Sequence, residues 1–159
     1  MIAIPMNRPY KIPESVLVVI HTVDLDVLLI ERADHAGFWQ SVTGSKDTME
    51  EELEHTAVRE VAEETGIVIG SPSVPQSALR DWNLRNVYEI YPVWRHRYEP
   101  HVIHNTEHVF SLEVPRDVAV TVSPREHSRF EWLPHHEAAD RCFSSSNAEA
   151  ILLLPRFLA

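Results

Sequence analysis

Residues 44–67 read GSKDTMEEELEHTAVREVAEETGI and contain the strongest pattern in this chain. In the second half, Glu60, Glu63 and Glu64 recur at i, i+3 and i+4, which places three carboxylates on one face of a predicted helix. A second face carries small apolar residues, namely Ala57, Val58, Val61 and Ala62. Such a helix packs its apolar face on a core and presents the acids at the edge. Gly66 is a typical C-terminal stop for it.

The clustered carboxylates indicate a metal site. Like charges at these spacings destabilise an isolated helix by roughly 0.2–0.5 kcal/mol per pair, so a compensating cation is expected. Mg²⁺ prefers oxygen ligands and is typically held by one or two carboxylates together with substrate phosphates. The alternative at this point is a solvated acidic face in which Arg59 pairs with Glu51 or Glu52.

The same stretch resembles the signature of the Nudix hydrolases, in which a glycine and a spaced glutamate precede R-E-U-x-E-E-x-G-U, U being apolar. Gly44, Glu51 and residues 59–67, REVAEETGI, occupy these positions. The seven residues between Glu51 and the arginine match the family, but the six after Gly44 exceed the usual spacing by one residue. The extra residue falls in the loop 45–50, where insertions are readily absorbed, and Glu50 is the alternative signature glutamate.

Composition limits the class of protein. With 159 residues, 44% of them hydrophobic, the chain suits a single domain, residues 1–159, with an adequate core. Apolar runs such as 16–20 and 151–154 are far shorter than the roughly 20 residues that cross a membrane, so no membrane partner is expected. The N-terminus, MIAIPMNRPYKIP, lacks the pattern of a secretory signal, and Cys142 is the only cysteine, so a cytoplasmic location is expected.

The formal net charge of −10 disfavours a nucleic-acid polymer as partner, because such binding depends on Lys and Arg that neutralise phosphates. A small polyphosphate stays compatible with this charge, since bound cations and a few local basic side chains would neutralise it at contact distance. The oligomeric state is left open.

Short apolar strands alternate with helices along the chain. Strands are predicted at residues 15–21, 27–31, 38–43, 87–94, 108–114 and 130–133. Beyond the carboxylate helix, short helices are predicted at 135–142 and 148–154. This order predicts an α/β fold, an α/β/α sandwich around a mixed β-sheet, which the Nudix resemblance also implies.

Segments outside the signature resemble one branch of that family, the bacterial dihydroneopterin triphosphate pyrophosphohydrolases of folate biosynthesis. These segments include residues 10–11, 38–44, 88–91, 95–98, 105–107, 126–127 and 144–147. The resemblance implies Mg²⁺-dependent hydrolysis of 7,8-dihydroneopterin triphosphate to the monophosphate and pyrophosphate, with Mn²⁺ able to substitute. Metal ions would offset charge on the phosphate oxygens while a carboxylate orients or deprotonates the attacking water.

The resemblance also implies which residues form the site. Glu60, Glu64 and Glu126 would bind the metal, Glu126 reaching it from a late loop. Glu63 and Glu64 would be the catalytic carboxylates, while for Glu63 the roles of ligand, base and structural partner all stay open. The substrate would contact Lys11, Arg32, Thr43, Tyr88, Glu89, Ile90, Tyr91, Glu126 and Ser144.

The chemistry of these side chains suits a pterin triphosphate. The basic residues among them match phosphate oxygens, and the two tyrosines would offer aromatic faces to a flat ring. Glu89 would accept hydrogen bonds from the N–H groups of that ring. In a strand, however, Tyr88 and Ile90 face one side while Glu89 and Tyr91 face the other, so half of this run is alternatively core.

Two other functions stay open. A housecleaning pyrophosphatase for nucleoside or deoxynucleoside triphosphates would share the metal chemistry and differ in the base pocket. A non-catalytic Nudix ligand sensor would bind without turnover, but such modules need not retain the acids, and this chain has them all. The substitutions Glu60→Gln and Glu64→Gln are predicted to abolish turnover and leave the fold intact.

Overall fold

Seven strands form one mixed β-sheet in the computed structural model, which describes residues 9–158 of the chain. The strands are β1 (Glu14–His21), β2 (Asp26–Arg32), β3 (Trp39–Gln40), β4 (Val42–Ser45), β5 (Leu79–Glu89), β6 (His104–Glu113) and β7 (His127–Pro134). The helices are α1 (Leu53–Thr65), α2 (His135–Arg141) and α3 (Ser145–Leu158). Most of the N-terminal segment considered for a secretory signal lies outside the described residues.

The sheet is built around β1. Its order is β3-β2-β1-β6-β5, with β4 paired to β1 and β7 paired to β2. Because β1 runs parallel to β6 and antiparallel to β4, the sheet is mixed. Residues 16–20 of β1 are all buried, which is typical of a strand covered on both faces.

Two apolar cores lie on the two faces of the sheet. One core joins the sheet to α1 and includes Val16, Val18, Phe110, Ala57 and Val61. The other joins the sheet to α2 and α3 and includes Leu17, Val19, Val109, Ala138 and Ile151. Since alternate side chains of a strand point to opposite faces, β1 supplies both cores. The predicted α/β/α sandwich around a mixed sheet is confirmed.

The carboxylate helix forms as predicted and ends at Gly66, whose φ of 76° is the left-handed conformation that favours glycine. Its buried residues are Thr56, Ala57, Val61, Glu64 and Thr65. Ala62, predicted on the apolar face, is exposed, because the buried stripe follows i, i+4, i+7 and i+8 from Ala57. The helix therefore turns one of its acids, Glu64, towards the protein interior, where an ionised side chain needs a partner.

The strand predicted at 87–94 has the wrong bounds. β5 begins earlier, at Leu79, and Pro92–Arg97 forms a 3₁₀ helix. The chain leaves the sheet there because proline has no N–H to continue the ladder. The first half of β5 lacked a period-two pattern because its register against β6 shifts there and Asn83 adopts a positive φ of 55°.

The two C-terminal helices follow the predicted positions. α2 starts directly after Pro134, and α3 extends beyond the predicted 148–154 at both ends. Pro155 lies inside the last part of α3. Within residues 9–158, none of the helices has the length and apolar character that a membrane span requires.

Candidate active site

A cleft of about 790 Å³ is lined by residues of β1, β4, α1 and the start of α3. This volume falls in the range of roughly 300–1,000 Å³ that is typical of small-molecule sites. A second cavity of about 440 Å³, near Val23 and Arg116, contains a single carboxylate, Glu113. The larger cleft contains all three helix carboxylates of the signature, and it is therefore the candidate site.

Arg59 connects the acidic residues of the signature. Its Nε and Nη2 donate to the two carboxylate oxygens of Glu51 at 3.1 and 2.9 Å. Its Nη1 donates to Glu60 at 3.0 Å and to Glu63 at 3.4 Å. Hydrogen bonding by this guanidinium lowers the pKa of Glu51 to about 2. Because Glu50 is exposed, the geometry identifies Glu51 as the glutamate that belongs with the signature arginine.

Glu51 also organises the loop that carries the extra residue. Its Oε1 accepts hydrogen bonds from the backbone N–H of Asp47 and from the hydroxyl of Thr56, both at 2.9 Å. Arg59 closes the loop from the other side by donating to the carbonyl of Ser45 at 3.0 Å. The additional residue therefore leaves the connection between the loop and the helix intact.

The three signature carboxylates on α1, Glu60, Glu63 and Glu64, differ in burial. The exposed fractions of the side chains are 12% for Glu60, 56% for Glu63 and 4% for Glu64. Burial raises the pKa of Glu60, and it raises the pKa of Glu64 further, with the neighbouring Glu60 as the next cause. The backbone N–H of Thr43 opposes this by donating to Glu64. Two buried acids at one site resist being ionised together unless a cation joins them.

The buried pair fits a divalent cation. Glu64 Oε1 is buried and has no hydrogen-bond partner among residues 9–158. A positive charge beside this oxygen would satisfy it and favour the ionised form of both acids. In the described part of the chain, no three His, Cys, Asp or Glu side chains come close enough to enclose a metal ion unaided. Mg²⁺ needs no such cage, since it is usually held by one or two carboxylates, waters and substrate phosphates.

Glu126 faces the same cleft from the exposed turn before β7. Its charge is among the causes that raise the pKa of Glu64, although it does not complete a three-carboxylate group with Glu60 and Glu64. The carbonyl of Glu126 accepts from the N–H of Ala33 at 2.8 Å, which ties this turn to the segment after β2. The structure thus brings the three predicted metal ligands to one cleft and leaves Glu126 apart from the buried pair.

His127 follows Glu126 and was not predicted as a site residue. Its Nε2 lies 3.9 Å from Glu64 Oε1, and its side chain is 4% exposed. Neither ring nitrogen has a hydrogen-bond partner within residues 9–158. Burial lowers the pKa of His127 to about 4, so the ring beside the carboxylate pair is neutral at physiological pH.

Basic side chains line the cleft near the carboxylates. Arg32 donates through Nε and Nη2 to the two oxygens of Asp34 at 2.9 and 2.8 Å, and its guanidinium carbon lies 4.8 Å from the ring centroid of Trp94. The backbone of Lys11 donates to the carbonyl of Arg97 at 2.8 Å. Burial, followed by the charge of Arg97, lowers the pKa of the Lys11 ammonium. This combination suits the phosphate oxygens of an anionic ligand.

The structure places only some of the predicted substrate-binding residues 88–91 in the cleft. Tyr88, Ile90 and Tyr91 line the cleft, whereas Glu89 does not. The Glu89 side chain is 67% exposed and pairs with Arg95 at 2.7 Å. Glu89 is the last residue of β5 and points away from Tyr88, as neighbours in a strand do, so its side chain lies outside the lining of the cleft.

Aromatic side chains from separate segments gather at the cleft. Phe143 stacks on Phe38 with ring centroids 3.8 Å apart. Tyr91 lies 5.3 Å from Phe143 and 5.6 Å from Trp94 between ring centroids. Tyr91, Trp94 and Phe143 all line the cleft. Only Tyr91 was predicted, because no sequence spacing relates the other two rings to it.

A chain of polar groups extends from the predicted Ser144. The hydroxyls of Ser144 and Ser146 lie 3.0 Å apart, and Ser146 donates to Glu107 Oε1 at 3.2 Å. Beside them, Asn105 Nδ2 donates to the phenol oxygen of Tyr88 at 3.1 Å. Glu107 and Asn105 line the cleft, are buried and were not predicted as site residues. The signal that identifies them is their alternation along β6, which puts both on one face.

The chain was compared with known protein families, sequences and solved structures. A NUDIX domain matches residues 11–154. The chain is 41% identical over 143 residues to the dihydroneopterin triphosphate diphosphatase of Haemophilus influenzae, covering 89% of this chain and 87% of that protein. It is 39% identical over 146 residues to the Escherichia coli K12 enzyme of the same name, covering 91% and 93%. The solved structure of the E. coli dihydroneopterin triphosphate pyrophosphohydrolase superposes with a TM-score of 0.81, covering 91% of this chain and 95% of that chain.

Proposed function

The chain belongs to the Nudix family, and from this premise we propose that it hydrolyses 7,8-dihydroneopterin triphosphate to dihydroneopterin monophosphate and pyrophosphate in folate biosynthesis. The observation that carries the proposal is the composition of the cleft, where buried carboxylates, basic side chains and aromatic rings line one cavity. Identities of 41% and 39% with two dihydroneopterin triphosphate diphosphatases, over about nine-tenths of the chain, support the choice of substrate.

Glu60 and Glu64 are the residues that would hold Mg²⁺, or Mn²⁺ in its place, with Glu126 approaching from the turn before β7. The orphaned Oε1 of Glu64 supports this assignment. When bound, the cation neutralises charge on the phosphate oxygens and so makes the phosphorus easier to attack. The remaining contributions come from side chains of the protein.

Glu63 is the carboxylate that we assign to orienting the attacking water. It is the most exposed of the three acids on the carboxylate face of α1, and its contact with Arg59, at 3.4 Å, is longer than the contact of this guanidinium with Glu60. Glu64 would contribute to catalysis by holding, together with Glu60, the cation described above. Arg59 holds Glu60 and Glu51 in place, so the two carboxylates keep their positions as charge develops on the substrate.

The substrate spans the cleft. Lys11 and Arg32 bind the phosphates, Arg32 through the planar fork that suits phosphate oxygens. Thr43 and Ser144 also line the cleft, and in this proposal they contact the part of the substrate between the phosphates and the ring. The faces of Tyr91, Trp94 and Phe143 stack on the pterin ring, because flat heteroaromatic rings pack favourably on aromatic side chains.

This function makes a small-molecule triphosphate the partner of the protein, with no nucleic-acid polymer and no membrane involved. The formal net charge of −10 supports the first exclusion. A cytoplasmic location is part of the proposal and is supported by Cys142, which has no second cysteine to pair with.

The test is pyrophosphate release from 7,8-dihydroneopterin triphosphate with Mg²⁺ and with a chelator. The nucleotides dATP, dGTP and an oxidised guanine nucleotide serve as competing substrates at equal concentration. We expect the highest kcat/KM for the pterin and loss of turnover on chelation. A higher kcat/KM for a nucleotide would replace the pterin with a housecleaning role, and tight pterin binding without turnover would indicate a ligand sensor.

Two variants of one helix provide the control. Glu60→Gln removes a proposed metal ligand, and Glu54→Gln changes an exposed acid of α1 that lies outside the cleft. Turnover is expected to disappear in the first variant and to stay at the wild-type level in the second. Full activity in Glu60→Gln would contradict the metal assignment.

A further inference from the structure

Glu107 is a buried acid that the chemistry of phosphate hydrolysis does not use. Its residue exposure is 5%, and it lines the cleft. Its Oε1 accepts one hydrogen bond, from Ser146 at 3.2 Å, while Oε2 accepts none from the described residues. No Lys, Arg or His within residues 9–158 forms an ion pair with it.

A carboxyl group in this position is costly unless hydrogen-bond donors reach it. Burial raises the pKa of Glu107 to about 7, with the Ser146 hydroxyl as the only opposing contact. Nearby, Asn105 Oδ1 is buried and also lacks a partner among the described residues. This part of the cleft therefore presents hydrogen-bond acceptors, on Glu107 and Asn105, that a ligand with N–H donors would satisfy. The basic residues near α1 instead present donors that suit an anion.

The strand pairing of the sheet gives the distance between the region around Glu107 and the carboxylates of α1. Glu107 on β6 lies beside Ser15 on β1, and Ser15 lies beside Ser45 on β4. Two strand spacings of about 4.8 Å each put Glu107 roughly 10 Å from the β4 backbone. A Cβ added at Gly44, the neighbour of Ser45 on β4, would overlap the Glu60 side chain at the proposed metal site, so this acid lies close to β4. A ligand with its phosphates near Glu60 would extend its ring towards Glu107.

We propose that Glu107 selects the ring of the substrate by accepting hydrogen bonds from the N3–H and 2-amino groups of the pterin. This inference rests on the proposed function and names the group that recognises its substrate. Two adjacent N–H donors match the two oxygens of a carboxylate, as in bidentate pairing of a guanidinium. The sequence suggested Glu89 as the acceptor for the N–H groups of the ring. We assign this role to Glu107 instead, because its side chain faces the cleft.

The same donor edge occurs in guanine, through its N1–H and 2-amino groups, but not in adenine. Adenine presents a ring nitrogen acceptor at the matching position, which would face a carboxylate oxygen without a proton between them. Glu107 thus favours pterin and guanine over adenine, while the aromatic side chains stack on all three rings alike. Specificity of this kind comes from groups that would be left unpaired by the wrong ring.

The test compares Glu107→Gln with Glu89→Gln, a matched change of an acid on the neighbouring strand that lies outside the cleft. The glutamine keeps the size of the side chain but turns one acceptor into a donor. We expect kcat/KM to fall about 10- to 100-fold for 7,8-dihydroneopterin triphosphate and for dGTP, mainly through KM. The value for dATP should stay constant or rise, and Glu89→Gln should leave all three unchanged.

If kcat/KM of Glu107→Gln falls equally for all three substrates, Glu107 has a purely structural role. If its kcat/KM for the pterin is unchanged, Glu107 does not contact the ring, and the proposal is overturned. If the wild type prefers a nucleotide over the pterin, the proposed function fails, yet the ratio of dGTP to dATP still tests Glu107. A second measurement needs no variant. Dihydroneopterin should inhibit the wild type competitively, and its 2-oxo analogue should inhibit at least 10-fold less well; equal inhibition would overturn the proposal.

Discussion

The carboxylate of Glu60 occupies the space in which a side chain at Gly44 would place its Cβ. The contact joins β4 to α1 and brings the first acid of the helix against the backbone of the strand. It gives the glycine of the signature a physical role, because any larger residue would push Glu60 out of the proposed metal site. The relationship depends on close approach, since the Gly44 backbone is not in the left-handed region.

Gly44→Ala is therefore expected to reduce kcat by about 10- to 100-fold, because the displaced Glu60 would no longer share a cation with Glu64. The free energy of unfolding should change by less than about 1 kcal/mol, since a glutamate side chain can rotate away. Steady-state kinetics and urea unfolding of the same preparation measure both quantities.

The control for this variant is Gly70→Ala. Gly70 has a φ of 101° and lies outside the cleft, and a methyl group added there would meet no atom of the described residues within 4 Å. We expect this change to lower stability through backbone strain and to leave kcat unaffected. Wild-type kcat in Gly44→Ala would show that Glu60 does not need its position against β4.

Mg²⁺ is expected to stabilise the protein as well as to activate it. A cation that binds only the folded state adds about 2.7 kcal/mol at a concentration 100 times its Kd. In Glu64→Gln, we expect a more stable metal-free protein, because one of two buried acids has lost its charge, and no further stabilisation by Mg²⁺. Thermal unfolding with Mg²⁺ and with a chelator measures these effects.

Glu54→Gln, on the same helix and outside the cleft, should respond to Mg²⁺ like the wild type. A Tm increase of equal size in Glu64→Gln and the wild type would place the cation elsewhere.

Arg59→Ala is expected to lower the free energy of unfolding by about 2–4 kcal/mol, because removing it leaves the acids around it without their partner. The closest of these contacts is to Glu51 at 2.9 Å, with exposed fractions of 22% and 15% for the two side chains. The matched control is Arg141→Ala, whose ion pair with Glu131 at 2.8 Å is more exposed, at 42% and 45%. The control should cost less than about 1 kcal/mol. Chemical denaturation of both variants measures their free energies of unfolding. Equal losses in Arg59→Ala and Arg141→Ala would mean that burial does not strengthen the contacts of Arg59.

Glu107 should make stability depend on pH. Its pKa of about 7 in the folded protein lies above its ordinary value of 4.5, so the folded state binds more protons than the unfolded state between these values. Stability is therefore lost as the pH rises through this window, by about 3 kcal/mol in total. The facing Tyr88 stays neutral here, because burial raises its pKa above the ordinary value of 10.0.

In Glu107→Gln this loss disappears, so the variant should match the wild type near pH 4 and exceed it by about 3 kcal/mol at pH 8. Urea unfolding of both metal-free proteins across this range provides the comparison. Parallel profiles for the two proteins would show that Glu107 titrates normally.

The local parts of the fold were predictable from the sequence. The helical character of the carboxylate segment, its stop at Gly66 and the strand β1 follow from periodicity and turn chemistry within a few neighbouring residues. β5 was only half recognised, because its irregular register hides the alternation that marks a strand. Ala62 was assigned to the wrong face, since a helical stripe is defined by what packs on it as much as by its period.

The sequence alone therefore establishes the Nudix signature and the helix face that carries Glu60, Glu63 and Glu64, because spacing along one helix is a local property. The opposite region of the cleft depends on contacts between distant segments. Asn105 reaches Ser15 across 90 positions of sequence only because β6 pairs with β1. Such pairing reflects the burial of two whole cores. Alternation along β6 puts Asn105 and Glu107 on one face of the strand, but no short motif could have revealed that this face lines the cleft.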